Sequence, residues 1–181
     1  MFKIKDRILL GSICGFIPSA ISSIIINKTT NKLGLNDITY IPMAANLFLP
    51  KKKINSRQGN LLGFIVNCIN GALSSISLTY FLSATGKDYK IFKGIGSGAF
   101  FWIIIDGLFG SQLLKVKSSK SSAPTIRLLE HISTGILSAV LITKLGDESL
   151  FPPKASKPLK RIPLIHTGIS QAGNPPENGT N

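Results

Sequence analysis

The chain is short of acid. It carries 21 Lys and Arg against 8 Asp and Glu, a net charge of +13 at pH 7. Cysteine, histidine and tryptophan are also scarce, at 2, 2 and 1 among 181 residues. Cys14 and Cys68 stand at unrelated positions, so they provide neither a disulfide framework nor a thiolate metal site. Glu130 lies beside His131, but no third ligand follows at a suitable spacing, so no metal and no cofactor is expected. The serines form no G-x-S-x-G elbow, there is no Ser/His/Asp order and no phosphate-binding loop. An enzyme is therefore not expected. The basic residues are not interleaved with aromatics and form no nucleic-acid motif, which sets nucleic acid aside as a partner.

Charge itself is missing from long stretches. Residues 8–26 and 61–82 hold none, and residues 95–114 hold only Asp106. A fourth apolar stretch, 126–145, opens with Arg127, Glu130 and His131 and has Lys144 at its end. About 20 apolar residues in a helix cross a ~30 Å hydrocarbon core. A soluble core of this size does not cover several helices that are apolar on nearly every face. The sequence thus predicts an all-α fold: an integral membrane bundle of four transmembrane helices at about 8–26, 61–82, 94–114 and 126–145, within a domain 1–146. A basic start followed by an apolar run imitates a signal peptide. The run is longer than a usual h-region and no A-x-A-like site closes it, so an uncleaved first span is expected.

The connecting segments carry the basic excess. Lysines such as Lys28, Lys32, Lys51, Lys52 and Lys53 flank the apolar runs, where cations anchor helix ends at anionic lipid headgroups. Between the first two spans lies NDITYIPMAANLFLP, residues 36–50. Asn36 or Asp37 suits a helix cap and Pro50 an end. About 12 helical residues reach only ~18 Å, too short to cross. This segment is expected to form a short interfacial or re-entrant helix. Pro124 suits the first turn of the fourth helix, with Ser121 or Ser122 at its cap. Residues 147–181 hold six of the ten prolines and several cations. That composition predicts a disordered C-terminal tail able to lie on an anionic leaflet.

Stepping about 100° per residue sorts small and polar residues onto one stripe of each helix. The first carries Gly11, Gly15, Pro18 and Ser22. The second carries Gly59, Gly63, Asn67, Asn70, Ser74 and Ser77. The third groups Gly96, Ala99, Asp106 and Gly110, with a second small face at Gly94 and Gly98. The fourth groups His131, Thr134, Gly135 and Ser138. Glycines spaced four apart let backbones approach, so Gly11, Gly15, Gly59, Gly63, Gly94 and Gly98 are the expected helix-packing positions. Pro18 removes one helical hydrogen bond, and Ser19, Ser22 and Ser23 are the expected rescuers of the freed carbonyl.

Asp106 is the one charge deep in an apolar run, so it should face the bundle and find a partner. It lies ~13 Å along its helix from Lys115, and His131 lies ~10 Å from Pro124. The two fall within about one turn of each other, with Asn67 and Asn70 nearby. Asp106, His131, Asn67 and Asn70 therefore form the candidate intramembrane polar cluster. Its two readings are a structural clamp and a relay for protons or an ion.

KDRILLGSICGFIPS, ITYIPMAANLFLP, GKDYKIFKGIGSGAFFWIII and LLEHISTGILSAVLI together resemble small YqhR-like multi-pass membrane proteins of Gram-positive spore-forming bacteria. The resemblance covers about residues 5–146 and implies the bacterial plasma membrane as location. It brings no functional residues with it, and the lysine-rich second loop and proline-rich tail depart from the pattern. The expected function is a non-catalytic structural or accessory membrane component, with the lipid bilayer and a second copy or another membrane protein as partners. The alternative is a small transporter or ion-conducting protein that uses the polar cluster.

Overall fold

A computed structural model describes residues 3–34, 40–113 and 119–152 of the chain. The fold is all-helical. Helix α1 spans Arg7–Lys32, α2 Tyr40–Ala45, α3 Arg57–Thr85, α4 Lys90–Trp102 and α5 Ala123–Leu145. The α4 rod continues without a break into a π-helical segment, Ile103–Leu113. Four helices are long and apolar enough to cross a membrane: α1, α3, α5 and the rod that begins at Lys90. Helices α1 and α3 form one intimate pair, α4 and α5 another, and α1 joins the pairs through α5.

Local signals set the ends. Ser56 caps α3 by accepting the Gly59 amide at 3.0 Å. Gly86 ends α3 at φ 87°, a left-handed region that suits glycine. Lys93 Nζ then donates to the carbonyls of Thr85 and Gly86 at the end of the helix. Pro124 lies in the first turn of α5, after Ser122.

Close backbone contact depends on glycine. A Cβ on Gly15 would stand 2.1 Å from the Gly71 carbonyl oxygen of α3. One on Gly98 would stand 2.3 Å from the His131 carbonyl oxygen of α5. Gly11 meets Ile76, and Gly94 meets Gly135, in the same two seams. Gly63 faces Ile41 of α2, whereas Gly59 packs on the Lys53 and Ile54 carbonyls of its own entry loop instead of on another helix. Gly96, which helical spacing grouped with Asp106, has nothing within 4 Å.

That regrouping has a cause. The π-helical bonding pattern advances each residue through less than the roughly 100° of an α-helix. Asp106 therefore falls back towards the Gly94/Gly98 face that meets α5. A uniform α-helix, as the sequence suggested for 94–114, sends it elsewhere. Ser77 is likewise off its expected stripe: it is exposed and bonds the Leu73 carbonyl of its own helix.

Helix α1 continues without interruption through Pro18. Proline has no amide hydrogen, so the Cys14 carbonyl loses its partner four residues on. Ser138 Oγ of α5 donates to that oxygen at 2.9 Å, in a fully buried position. The rescuer thus comes from another helix, not from Ser19, Ser22 or Ser23. Ser138→Ala is expected to cost about 1–3 kcal/mol, because it strands a buried acceptor. In a Pro18→Ala background residue 18 regains its amide, so the same change should cost much less. Unfolding of the four proteins in mixed detergent micelles measures this, and simple additivity would show that Ser138 does not serve the freed carbonyl.

The helix expected over 36–50 is shorter in the structure. It has six residues, and tighter i to i+3 bonds follow it at Leu47 and Phe48. Tyr40, Met43 and Ala45 are buried, so α2 packs into the bundle against α3. The proposed caps, Asn36 and Asp37, lie outside the described residues.

Residues 147–152, which composition assigned to the tail, are folded onto the bundle. Ile4 donates to the Leu145 carbonyl and accepts from the Asp147 amide, a short parallel bridge between the termini of the bundle. Leu150 ends a 3-10 turn, Glu148–Leu150, Phe151 follows it, and both are buried with Leu10, Leu78, Leu82 and Ile142. Two large apolar side chains so close to the α5 terminus outweigh the local proline signal. Residues 153–181 lie outside the described residues.

This closure carries its own pH dependence. The Ser149 hydroxyl and amide hold the Asp147 carboxyl below its ordinary value. A hydrogen bond from Lys87, and its charge, do the same for Glu148. A carboxyl lowered by folding adds stability above its unfolded value of about 4 and loses it as pH falls through the lowered value. The thermal midpoint is expected to fall on acidification through that window. Asp147→Asn with Glu148→Gln should flatten this part of the profile.

Candidate functional site

The polar cluster is assembled from three elements. Asp106 comes from the π-helical segment, Arg127, Glu130 and His131 from the first turns of α5, and Tyr40 from the first position of α2. Asp106, Arg127, Glu130 and Tyr40 are all less than a tenth exposed. Helical spacing accounts for the α5 set: positions 127, 130 and 131 share one face at i, i+3 and i+4. That face meets the α4 rod, because the Gly98 seam draws α4 onto His131.

Asp106 does not touch His131 directly. Its Oδ1 lies 2.8 Å from Arg127 Nε, an ion-pair contact in which the N–H is turned away from the line to the oxygen. Its Oδ2 accepts from the Tyr40 hydroxyl at 3.0 Å. The same hydroxyl oxygen lies 3.0 Å from His131 Nδ1, and the rings meet edge to face with centroids 5.2 Å apart. Burial and the neighbouring carboxylate of Asp106 hold the phenol well above its usual range, so it stays protonated.

Donor arithmetic then fixes the direction of the chain. Tyr40 has one hydroxyl hydrogen, and Asp106 Oδ2 is an acceptor only. The Arg127 carbonyl, which only accepts, lies 3.1 Å from His131 Nδ1 and 3.3 Å from the Tyr40 hydroxyl. We therefore assign the proton to Nδ1, which donates towards that carbonyl and the Tyr40 oxygen, and the hydroxyl hydrogen to its shorter contact with Asp106. The result is a directed relay from His131 Nδ1–H through Tyr40 O–H to Asp106. Arg127 neutralises the carboxylate at the far end.

Not every group in the cluster is paired. Arg127 Nη1 and Glu130 Oε2 are buried and have no hydrogen-bond partner among the described residues. Glu130 and His131 border a polar cavity of about 60 Å³ in the centre of the bundle. Its walls include Ser19, Ser74, Ser75, Asn70 and Thr134. Asn67 and Asn70, both singled out from the sequence, reach this cavity. Asn67 also donates to Ser23 Oγ at 2.7 Å and so ties α3 to α1. Asp106 stands behind Tyr40 and does not line the cavity. A larger, mainly apolar cavity of about 360 Å³ lies on the other side of Tyr40, between α2, α3 and the α4 rod.

Among the described residues, no three His, Cys, Asp or Glu side chains converge as metal ligands do. Tyr40, Arg127 and Glu130 are the members that sequence reasoning missed, Glu130 having been weighed only as a metal ligand. Arg127 looked like a hydrophilic start to a helix. Tyr40 is 66 residues from Asp106 and 91 from His131, so no local spacing linked them. The signal available for Tyr40 was its place in an apolar helix, where a phenolic hydroxyl needs a partner. Comparison with protein-family models, with curated proteins and with solved structures finds no match.

Proposed function

We propose that this chain is a multi-pass protein of the bacterial plasma membrane that acts as a non-catalytic structural or accessory component. One observation carries the membrane part: the polarity of the bundle is inverted. Ile8, Phe16, Ile25, Leu61, Leu73 and Phe100 are exposed, while Asp106, Arg127, Glu130 and several serines are buried. In the apolar stretch of Lys90–Gly110 only 11% is buried. Water penalises such an outer surface, whereas hydrocarbon favours it. Cations at the helix ends meet the headgroups, and α2 re-enters the bundle far enough for Tyr40 to reach Asp106. The resemblance to YqhR-like membrane proteins belongs to the same proposal.

The accessory role rests on how Asp106 is held. It is paired, hydrogen-bonded and shielded from the central cavity, the arrangement of an interhelical clamp. The second reading, a small transporter or ion conductor, draws on the polar cavity and the His131–Tyr40–Asp106 relay. Membrane fractionation and proteoliposome flux test the pair. The protein is expected in the pellet, resistant to alkaline carbonate, and silent for proton and alkali-cation flux. A monodisperse folded species in a detergent-free supernatant would overturn the membrane reading. Flux that Asp106→Asn abolishes would replace the clamp with transport.

A further inference from the structure

We propose that the central cavity is a binding site for a monovalent alkali cation, with the Glu130 carboxylate as its counter-charge. The inference goes beyond an accessory role, because a bound ion does not require transport. It starts from an unbalanced account of charge. Arg127 is matched by Asp106 at 2.8 Å. Glu130, one helical turn further along, is 5% exposed and lines the cavity, and its Oε2 has no partner among the described residues. A buried carboxylate without a partner is costly, so a positive charge beside it is strongly favoured.

The rest of the wall fits a hard cation. Beside Leu78 and Phe101 it carries hydroxyl and amide groups whose oxygens can face inward, from Ser19, Ser74, Ser75, Asn70 and Thr134. Ser75 is 2% exposed and its Oγ is also unpartnered among the described residues. Two buried, unsatisfied oxygens on one small cavity, from different helices, are unusual in a packed interior. Clustered oxygens of this kind replace part of the hydration shell of alkali ions, and the wall offers no thiolate to a softer metal.

Size and charge narrow the ion. A volume of about 60 Å³ admits one ion with a few of its waters, at roughly 10–15 Å³ each. One unmatched carboxylate neutralises one positive charge. A divalent ion would leave a net positive charge buried, and calcium sites usually recruit several carboxylates.

The test uses the full chain, purified in detergent, with radioactive sodium chloride as probe and N-methylglucamine chloride holding ionic strength constant. Saturable binding near one ion per chain is expected, displaced by unlabelled sodium or potassium chloride. Glu130→Gln keeps the shape and removes the charge, so it should weaken binding by at least about tenfold. Ser75→Ala removes a hydroxyl that has no hydrogen-bond partner among the described residues, so it should fold normally and weaken binding by about threefold or more. Circular dichroism and elution volume establish that each variant is folded. Absence of saturable binding in the folded parent protein overturns the proposal and leaves a cavity of water beside a protonated Glu130. Unchanged affinity in Glu130→Gln also overturns it. Should that variant fail to fold, unchanged affinity in Ser75→Ala decides against the site and weakened affinity decides for it.

Discussion

Arg127→Met is expected to destabilise the bundle by about 3–5 kcal/mol, the usual cost of leaving a buried charge without its partner. The argument rests on position. Arg127 and Asp106 are both buried and in ionic contact, and they join α5 to the π-helical segment. Methionine keeps much of the length and apolar stem of arginine, so packing changes little and the lost charge dominates. Asp106 would retain only the Tyr40 hydroxyl. The double variant Asp106→Asn with Arg127→Met removes both charges together, and it should recover most of the loss because no lone ion remains. Lys87→Met is the comparison: its partner Glu148 is exposed, so its effect should be small. Unfolding in mixed detergent micelles, followed by circular dichroism, ranks the three. If Arg127→Met is no worse than Lys87→Met, Asp106 is not held by a clamp and the accessory reading loses its main support.

Gly98 should also be intolerant of substitution, for a steric reason. A Cβ at this position would stand 2.3 Å from the His131 carbonyl oxygen and 2.8 Å from the Ile132 Cα. Both are backbone atoms of α5, so no side chain can rotate out of the way. Gly98→Ala is expected to cost about 1–3 kcal/mol by forcing the helices apart. Gly98→Leu should cost more, and it should move His131 away from Tyr40. Gly96 provides the control on the same helix, since nothing lies within 4 Å of it. Gly96→Ala should be neutral or stabilising by up to about 1 kcal/mol, through helix propensity alone. The same micelle unfolding measures both. Equal effects at the two positions would show that α4 and α5 do not meet at the Gly98 seam.

The two variants act on one structure from opposite directions. The Gly98 seam sets the distance between α4 and α5, and the Arg127–Asp106 contact sets their register. The relay through Tyr40 needs both, because its two hydrogen bonds of 3.0 Å leave little room for displacement.

Much of this was legible in the chain. Long apolar runs, two of them without any charge, marked four helices, since the signal for a long apolar helix is local and additive along the sequence. The glycine spacings at Gly11/Gly15 and Gly94/Gly98 marked seams, because close approach needs small residues at fixed intervals on one face. That Asp106 needed a partner was equally plain, since a buried lone carboxylate is costly whatever surrounds it. The identity of the partner was not. Which helix faces meet depends on how each rod is rotated, and the π-helical segment changes that rotation partway along α4. Pro18 shows the same division. Its missing hydrogen bond is written in the sequence, but the donor, Ser138, is 124 residues from the carbonyl it serves. The late packing of Leu150 and Phe151 overrode a proline-rich composition for the same reason.

The sequence by itself determined the number of long helices, their apolar character and the requirement that polar groups turn inward. Those properties follow from each segment's own exchange with its solvent. Only the tertiary structure decided that Tyr40 bridges His131 and Asp106, that Arg127 neutralises the carboxylate, and that Glu130 is left facing a small polar cavity. Hydrogen bonds and ion pairs are short-ranged and directional, so they are set by three-dimensional juxtaposition that no local pattern encodes.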